Sequence, residues 1–162
     1  MIRANLRGHI SCQSQEIPVR FTTSIEIAAP PSTVWDVVAD VTRWPEWTPS
    51  TIKHVEVIEG DVLAVGMRAR ITQPAIPKAV WTVSSVQPGT SFVWATRNMG
   101  MTMVADHVVE AAGVGTRVTL TLDATGAGSM ILRPLLALSL PRTLRTEAHG
   151  LKRHAEGLAR AS

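Results

Sequence analysis

The chain has 162 residues, of which 45% are hydrophobic and 18% are charged, values that indicate one globular domain with a core and exclude a disordered chain. The formal net charge is only +3 and the arginines are mostly scattered singly, so we expect no nucleic-acid partner. The single cysteine, Cys12, excludes an intramolecular disulfide and a cysteine-cluster zinc site, and it fits a reducing cytoplasm.

The N-terminal segment carries early arginines but no continuous apolar run, so we exclude a secretory signal. We predict an extension with little order over residues 1–17 and one domain over residues 18–162. No segment reaches the roughly 20 apolar residues that a membrane-spanning helix needs. These features together predict a cytoplasmic protein.

The domain begins with a strand and two short helical segments. Residues 19–29 alternate between apolar and polar side chains, which is typical of a strand. Pro31 or Ser32 is suited to the start of a helix that ends near Asp40. A second helical turn follows and is predicted to break at Pro45, because proline lacks the amide donor of a helix interior.

Six further strands follow, separated by turn signals that include the Pro88–Thr90 and Met99–Gly100 segments. The predicted strands cover residues 51–60, 66–73, 79–87, 91–98, 101–111 and 116–125. Consecutive strands joined by short turns imply an antiparallel meander.

A long helix is predicted at the C-terminus, with Ser129 as its N-cap. Its early half, residues 130–141, is apolar on nearly all sides, and Pro134 and Pro141 should bend or interrupt it. Its later half is amphipathic, with one apolar stripe formed by Leu144, Ala148, Leu151, Ala155 and Leu158. A single helix lying in the concave face of a curved sheet need not fill it, so we expect a cavity between the two.

Three segments resemble one family. Residues 24–47 (SIEIAAPPSTVWDVVADVTRWPEW), 115–124 (GTRVTLTLDA) and 151–156 (LKRHAE) resemble the START-like, or SRPBCC, superfamily in its polyketide cyclase/dehydrase-like branch. The resemblance covers roughly residues 20–160. It implies an α+β helix-grip fold, with a seven-stranded curved antiparallel sheet, two short helices and one long C-terminal helix.

The resemblance also gives a role to the W-P-x-W segment. In the helix-grip fold Trp44 and Trp47 would plug one end of the sheet, and Trp47 could instead reach the cavity wall. Trp81 and Trp94 are expected in the core or the cavity wall, where they could contact a ligand. Arg97 is a catalytic candidate that would anchor an anionic group or polarise a carbonyl if it pointed inward, with solvent exposure as the alternative.

His107 is the other catalytic candidate. In residues 101–111 the period of two places Met101, Met103 and His107 on one side and Asp106 on the other. The acidic side suits solvent, so His107 should point inward, where it could transfer a proton or orient a ligand. The alternative is a hydrogen-bonded core histidine, and the two methionines could equally serve ordinary packing.

The C-terminal helix offers further ligand contacts. We expect Leu135 and Leu138 to contact a ligand as part of a lid over the cavity. Basic residues outnumber acidic ones along this helix, so a membrane surface or an acidic partner is an alternative role for the leucine-rich segment. His149 and His154 lie five positions apart, on different helix faces, so we expect neither a metal nor a cofactor.

Three functions are consistent with these features. The first is binding of a hydrophobic or amphipathic small molecule in the cavity between sheet and helix. The second, implied by the resemblance, is an aromatase/cyclase that folds a polyketide chain, and the third is docking through the leucine-rich helix. One inward titratable group without a matched partner favours binding over catalysis. A homodimer is compatible with the sequence, which does not fix the oligomeric state.

Overall fold

The computed structural model describes residues 18–74 and 76–161. The predicted extension over residues 1–17, which includes Cys12, lies outside the described residues, as does Ser162. The helices and strands are, in chain order, β1 (Val19–Ile27), α1 (Pro31–Ala39), α2 (Trp44–Trp47), β2 (His54–Glu59), β3 (Arg68–Gln73), β4 (Ile76–Gln87), β5 (Ser91–Asn98), β6 (Met101–Ala112), β7 (Gly115–Thr125), α3 (Ala127–Ile131) and α4 (Arg133–Ala161).

The strands form one antiparallel sheet in the order β1-β7-β6-β5-β4-β3-β2. The chain crosses from one edge, β1, to the other edge, β2, and then returns strand by strand until β7 pairs with β1. Three register shifts interrupt the pairing from β2 to β5, at Val57/Glu59, Ile71/Gln73 and Val83/Ser85. Such bulges bend strands and increase their twist, so they contribute to a concave face. The predicted seven-stranded antiparallel sheet is confirmed.

The two short helices lie between β1 and β2. α1 begins at Pro31, whose fixed φ suits the first turn and whose missing amide costs no helical hydrogen bond there. A 3-10 turn over Val41–Arg43 leads into α2, and Pro45 lies in the first turn of that helix. The prediction that the helical turn breaks at Pro45 is therefore wrong, because proline is tolerated in the first turn for the same reason.

The long C-terminal helix is confirmed, although it begins later than predicted. α3 and α4 are separated at Leu132, and Gly126, with a φ of 93°, is the N-cap of α3. Ser129 lies inside α3, where its hydroxyl donates to the carbonyl oxygen of Gly126 at 2.7 Å. The N-cap prediction for Ser129 is wrong, because Ser129 lies inside α3, whose N-cap is Gly126, and the long helix α4 begins only at Arg133.

The two prolines of this region act differently. Pro134 has no amide to donate to the carbonyl of Met130, which is consistent with the interruption between α3 and α4. Pro141 lies inside α4, and the helix continues through it. We attribute that continuity to packing, since one side of α4 is buried along its length. The buried residues of α4 are Leu136, Leu140, Leu144, Ala148, Gly150, Leu151 and Ala155.

α4 closes over the sheet and contacts both short helices. Gly150 allows this approach, because a Cβ at that position would collide with the backbone carbonyl oxygen of Trp47. Within residues 18–74 and 76–161, no helix combines the length and the apolar character needed to cross a membrane.

Candidate ligand-binding site

A cavity of about 190 Å³ lies between α4 and the sheet. β3, β4, β5, β6 and β7 supply one wall and α4 supplies the other, while the segment after α2 borders one end. Most of its surface is apolar, so a guest would exchange water for hydrocarbon and aromatic surface. The principal apolar side chains are Trp44, Ile52, Ile71, Trp81, Trp94, Met103, Leu120, Leu122, Leu140 and Leu144.

Aromatic rings form a continuous part of the wall. The ring centroid of Trp44 lies 5.1 Å from that of Trp94, and Trp94 lies 5.2 Å from Trp81. Trp44 is fixed by its indole Nε1, which donates to the carbonyl oxygen of Val38 at 3.1 Å. Trp44 is therefore buried among other aromatic rings and also lines the cavity.

His107 points inward from β6, between Phe92 on β5 and Leu120 on β7. Its ring stacks on Phe92 with a centroid distance of 4.3 Å and an interplanar angle of 1°. Burial lowers the pKa of His107 to about 3, although a hydrogen bond with the Phe92 backbone acts in the opposite direction. The imidazole is therefore neutral at physiological pH, and its Nδ1 is buried without a hydrogen-bond partner among the described residues.

Glu147 reaches the cavity from the opposite wall, on α4. It is half-buried, and burial raises the pKa of its carboxyl group to about 7, with a hydrogen bond from Thr51 acting in the opposite direction. The sequence analysis does not single out this residue, because basic residues outnumber acidic ones along the C-terminal helix and direct attention to external partners. Its spacing was informative: Glu147 follows Leu144 by three positions and precedes Leu151 by four, which places it beside the buried stripe.

His107 and Glu147 also border a second, much smaller space of about 10 Å³, next to the main cavity. Trp47 lines this space together with Trp44, and the two indole centroids are 5.6 Å apart. A space of this size is at the lower limit for one water molecule, so we assign it no ligand.

The remaining polar groups of the main cavity are mostly hydroxyls. Thr51 lies at the end beyond α2, and Ser139 and Thr143 lie one turn apart on α4. The Ser139 hydroxyl donates to the carbonyl oxygen of Leu135 at 2.8 Å. The Thr143 hydroxyl donates to the backbone carbonyl oxygen of Ser139 at 3.2 Å. These hydroxyls retain acceptor capacity for a ligand.

The site residues expected from the sequence fall into an interior group and a solvent-exposed group. Four of them line the main cavity: Trp81, Trp94, Met103 and His107. Trp47 lies at the small space, and Met101 is buried but lies outside the lining of either space.

The other three expected site residues face solvent. Arg97 follows Trp94 by an odd number of positions, so its side chain lies on the opposite face of β5, where its Nε donates to the Thr102 hydroxyl at 3.3 Å. Leu135 and Leu138 are 61% and 59% exposed, because the stripe of α4 that faces the sheet runs through Leu136 and Leu140 instead. Among residues 18–74 and 76–161, no group of three or more His, Cys, Asp or Glu side chains is arranged to hold a metal ion.

Comparison with known families gives one match. Residues 18–156 match the model of the family described as polyketide cyclase / dehydrase and lipid transport. No curated protein sequence is significantly similar to this chain.

Solved structures share the fold at low identity. The Zhui aromatase/cyclase from Streptomyces sp. R1128 aligns with a TM-score of 0.72 and 19% identity, over 86% of this chain and 94% of that chain. The START superfamily protein from Mycobacterium smegmatis aligns with a TM-score of 0.66 and 19% identity, over 86% of this chain and 98% of that chain. The ginseng major latex-like protein 151 from Panax ginseng aligns with a TM-score of 0.70 and 14% identity, over 85% of this chain and 97% of that chain. The predicted helix-grip fold is thus confirmed.

Proposed function

We propose a function from the premise that this chain belongs to the polyketide cyclase / dehydrase and lipid transport family. The protein binds a hydrophobic or amphipathic small molecule in the cavity under α4. The observation that supports this proposal is the cavity itself, about 190 Å³ in volume and lined mainly by apolar and aromatic side chains. A dry apolar cavity of about 150 Å³ accommodates a guest the size of benzene. The cavity thus suits a compact molecule of one or two rings.

The polar groups suggest where such a molecule carries its oxygen atoms. Glu147 and Thr143 lie on the helix wall and Thr51 lies at one end, while the aromatic wall is on the opposite side. A flat ring would pack on Trp94 and Trp81, with hydroxyl or carbonyl groups directed toward α4. We therefore propose an oxygenated aromatic or partly aromatic ligand.

Native mass spectrometry of the purified protein tests binding, because a retained molecule appears as a mass increment that is lost on denaturation. Ala105 lines the cavity on β6, so Ala105→Phe should fill part of the space and remove the increment. Ala111 lies on the same strand but is exposed, which makes Ala111→Phe the matched control.

The expected outcome is a ligand-bound wild type and Ala111→Phe and a ligand-free Ala105→Phe, with all three folded by circular dichroism. If no molecule is retained, binding is measured instead by titration with a bicyclic aromatic probe such as 2-naphthol. The fluorescence of Trp81 and Trp94 then reports entry of the probe. Equal probe binding by both variants, or no binding by the wild type, would overturn the proposal.

A second function, of the cyclase type, is favoured by the pairing of His107 with Glu147 across the cavity. A carboxyl group with a pKa of about 7 is divided between its acid and base forms near neutral pH, which suits proton transfer. The Zhui aromatase/cyclase, which shares the fold, carries that activity in its name. In an aldol cyclisation Glu147 would remove a proton from the carbon between two carbonyls. That carbon would then bond to the carbon of a third carbonyl in the chain, whose oxygen takes up the proton held by Glu147. The resulting hydroxyl leaves as water together with a second proton from the attacking carbon.

In this scheme the one N–H of the neutral His107 imidazole is used by the Phe92 backbone, so its unpartnered Nδ1 would accept a hydrogen bond from an enol hydroxyl of the polyketone chain. Incubation with a poly-β-ketone and analysis of the ring products tests it. Glu147→Gln, which retains shape but cannot accept the proton, should lower the rate about a hundredfold or more while binding persists. A rate equal to that of the wild type would remove the cyclase proposal and leave the binding proposal intact.

A further inference from the structure

An apolar surface is exposed at the junction of α3 and α4. Met130, Ile131, Leu135 and Leu138, which we call the α3–α4 surface, are 74%, 78%, 61% and 59% exposed. Exposed large apolar side chains are ordinary when they are scattered singly, but a contiguous group of them indicates an interaction site.

The four residues are contiguous because of helical spacing. Helical hydrogen bonds continue across the junction, since the Leu132 amide donates to the Gly128 carbonyl at 3.0 Å and the Leu136 amide to the Leu132 carbonyl at 2.9 Å. Ile131, Leu135 and Leu138, four and three positions apart, therefore follow one stripe, with Met130 beside it. The stripe opposite, through Leu136 and Leu140, is the one buried against the domain.

The β5–β6 turn extends this surface. Met99, at the tip of the turn, is 61% exposed. The amide of Gly128 on α3 donates to the carbonyl oxygen of Gly100 at 3.3 Å, which holds the turn against α3.

Arginines surround the apolar stripe without acidic neighbours in sequence. Arg142 and Arg145 continue the same helical spacing beyond Leu138. Arg133 is the first residue of α4, and Arg97 lies on β5, two positions before Met99; all four arginines are exposed. The sequence between Asp123 and Glu147 contains no acidic residue. Within the described part of the chain, the ion pairs involve Arg20, Arg43, Arg68, Arg70, Arg117 and Lys152 and none of the four arginines around the stripe.

We propose that the α3–α4 surface docks onto an anionic lipid surface. Leucine, isoleucine and methionine side chains would enter the boundary between headgroups and acyl chains, while the arginines contact lipid phosphates. The charge decides against a second copy of this chain as the occupant, since a symmetric contact would bring two arginine clusters together with no carboxylates to neutralise them.

Docking at this surface would also bring the membrane close to the cavity. Ser139 and Leu140 line the cavity on the same helical turn that exposes Leu138. A hydrophobic ligand that dissolves in the bilayer would therefore have a short path between lipid and protein. The docking itself does not depend on the ligand that the cavity takes.

Vesicle flotation of the full chain tests the docking. We expect the protein to float with vesicles of phosphatidylcholine and phosphatidylglycerol, but not with vesicles of phosphatidylcholine alone, and binding should weaken at high salt. The double substitution Leu135→Glu with Leu138→Glu should lower the affinity about tenfold or more, because it places charge in the apolar stripe. Arg142→Gln with Arg145→Gln should lower it for anionic vesicles by removing the headgroup contacts.

The matched control is Val62→Glu with Val65→Glu, in the connection between β2 and β3, where the two valines are 71% and 67% exposed. This variant should float like the wild type. Absence of flotation by the wild type, or equal loss in the control, would overturn the proposal. A wild-type dimer in sedimentation analysis that dissociates in the Leu135→Glu, Leu138→Glu variant would identify the surface as a subunit interface and overturn it as well.

Discussion

At the scale of single residues, the buried His107 and the half-buried Glu147 line the same cavity, and burial shifts their pKa values in opposite directions. Burial disfavours the charged form of each, so it lowers the pKa of the imidazole to about 3 and raises that of the carboxyl to about 7. Each shift links folding stability to pH through the protons bound by the folded and unfolded states.

The sign of the linkage differs between the two. The unfolded state binds one more proton at His107 between about pH 3 and the ordinary imidazole pKa of 6.5, so this residue makes stability rise with pH there. The folded state binds one more proton at Glu147 between the ordinary carboxyl pKa of 4.5 and about pH 7, so this residue makes stability fall with pH. The two slopes oppose each other between pH 4.5 and 6.5.

Single substitutions should separate the slopes. Glu147→Gln removes the fall of stability with pH that Glu147 causes. The free energy of unfolding of this variant should therefore increase relative to that of the wild type from pH 4.5 to 7. His107→Phe removes the rise of stability with pH that His107 causes. The free energy of unfolding of this variant should therefore increase relative to that of the wild type as the pH falls below 6.5. Each difference should change by up to about 1.4 kcal/mol per pH unit in urea unfolding. Differences that do not change with pH would contradict the burial of both groups.

The sequence alone predicted one of these residues. Strict alternation along β6 placed His107 inward, because a strand has only two faces and the other face carried Asp106 and Glu110. Glu147 was not predicted, because a helix presents a graded range of orientations and a carboxylate near the edge of an apolar stripe is usually solvated. Its burial depends on Thr51 and the aromatic wall, which come from distant parts of the chain.

At the scale of elements, α4 is held against α2 by a close backbone contact. A Cβ at Gly150 would collide with the carbonyl oxygen of Trp47, which is main chain and cannot rotate away. Gly157 lies two turns further along the same helix, and nothing lies within 4 Å of a Cβ placed there. The two glycines therefore serve as site and control in one helix.

We expect opposite effects from the same substitution at these two positions. Gly150→Ala should destabilise the protein by about 2 kcal/mol or more, because α4 must shift away from Trp47. Gly157→Ala should stabilise it by about 0.5–1 kcal/mol, because alanine is the better helix former. Thermal unfolding measures both effects. A Gly150→Ala variant as stable as the wild type would contradict the close contact between α4 and α2.

The order of elements was predictable because each strand carries its own alternation and each turn its own glycine or proline. The prolines were harder to interpret. Pro45 lies inside a short helix that the sequence was expected to break there, and Pro141 is accommodated within α4. In both cases the sequence shows that proline has no backbone N–H to donate. The surrounding structure determines whether the helix needs a hydrogen bond from that position.

At the scale of the whole molecule, the seven-stranded sheet and the terminal helix enclose more space than their side chains fill. A cavity was expected from the fold class, since one helix need not fill the concave face of a curved sheet. Its composition did not, because it depends on which strand faces are concave and on how far α4 is rotated. That rotation also exposes Leu135 and Leu138, which the apolar run around them had suggested as lid residues.

A crystal structure of the protein pressurised with xenon tests for the cavity, because xenon binds in apolar cavities without needing polar partners. Xenon should appear between α4 and the sheet, in contact with Trp94 and Leu144. The Ala105→Phe variant should lose most of that density. An interior filled by the protein's own side chains, with no xenon in the wild type, would contradict both the ligand-binding and the cyclase proposals.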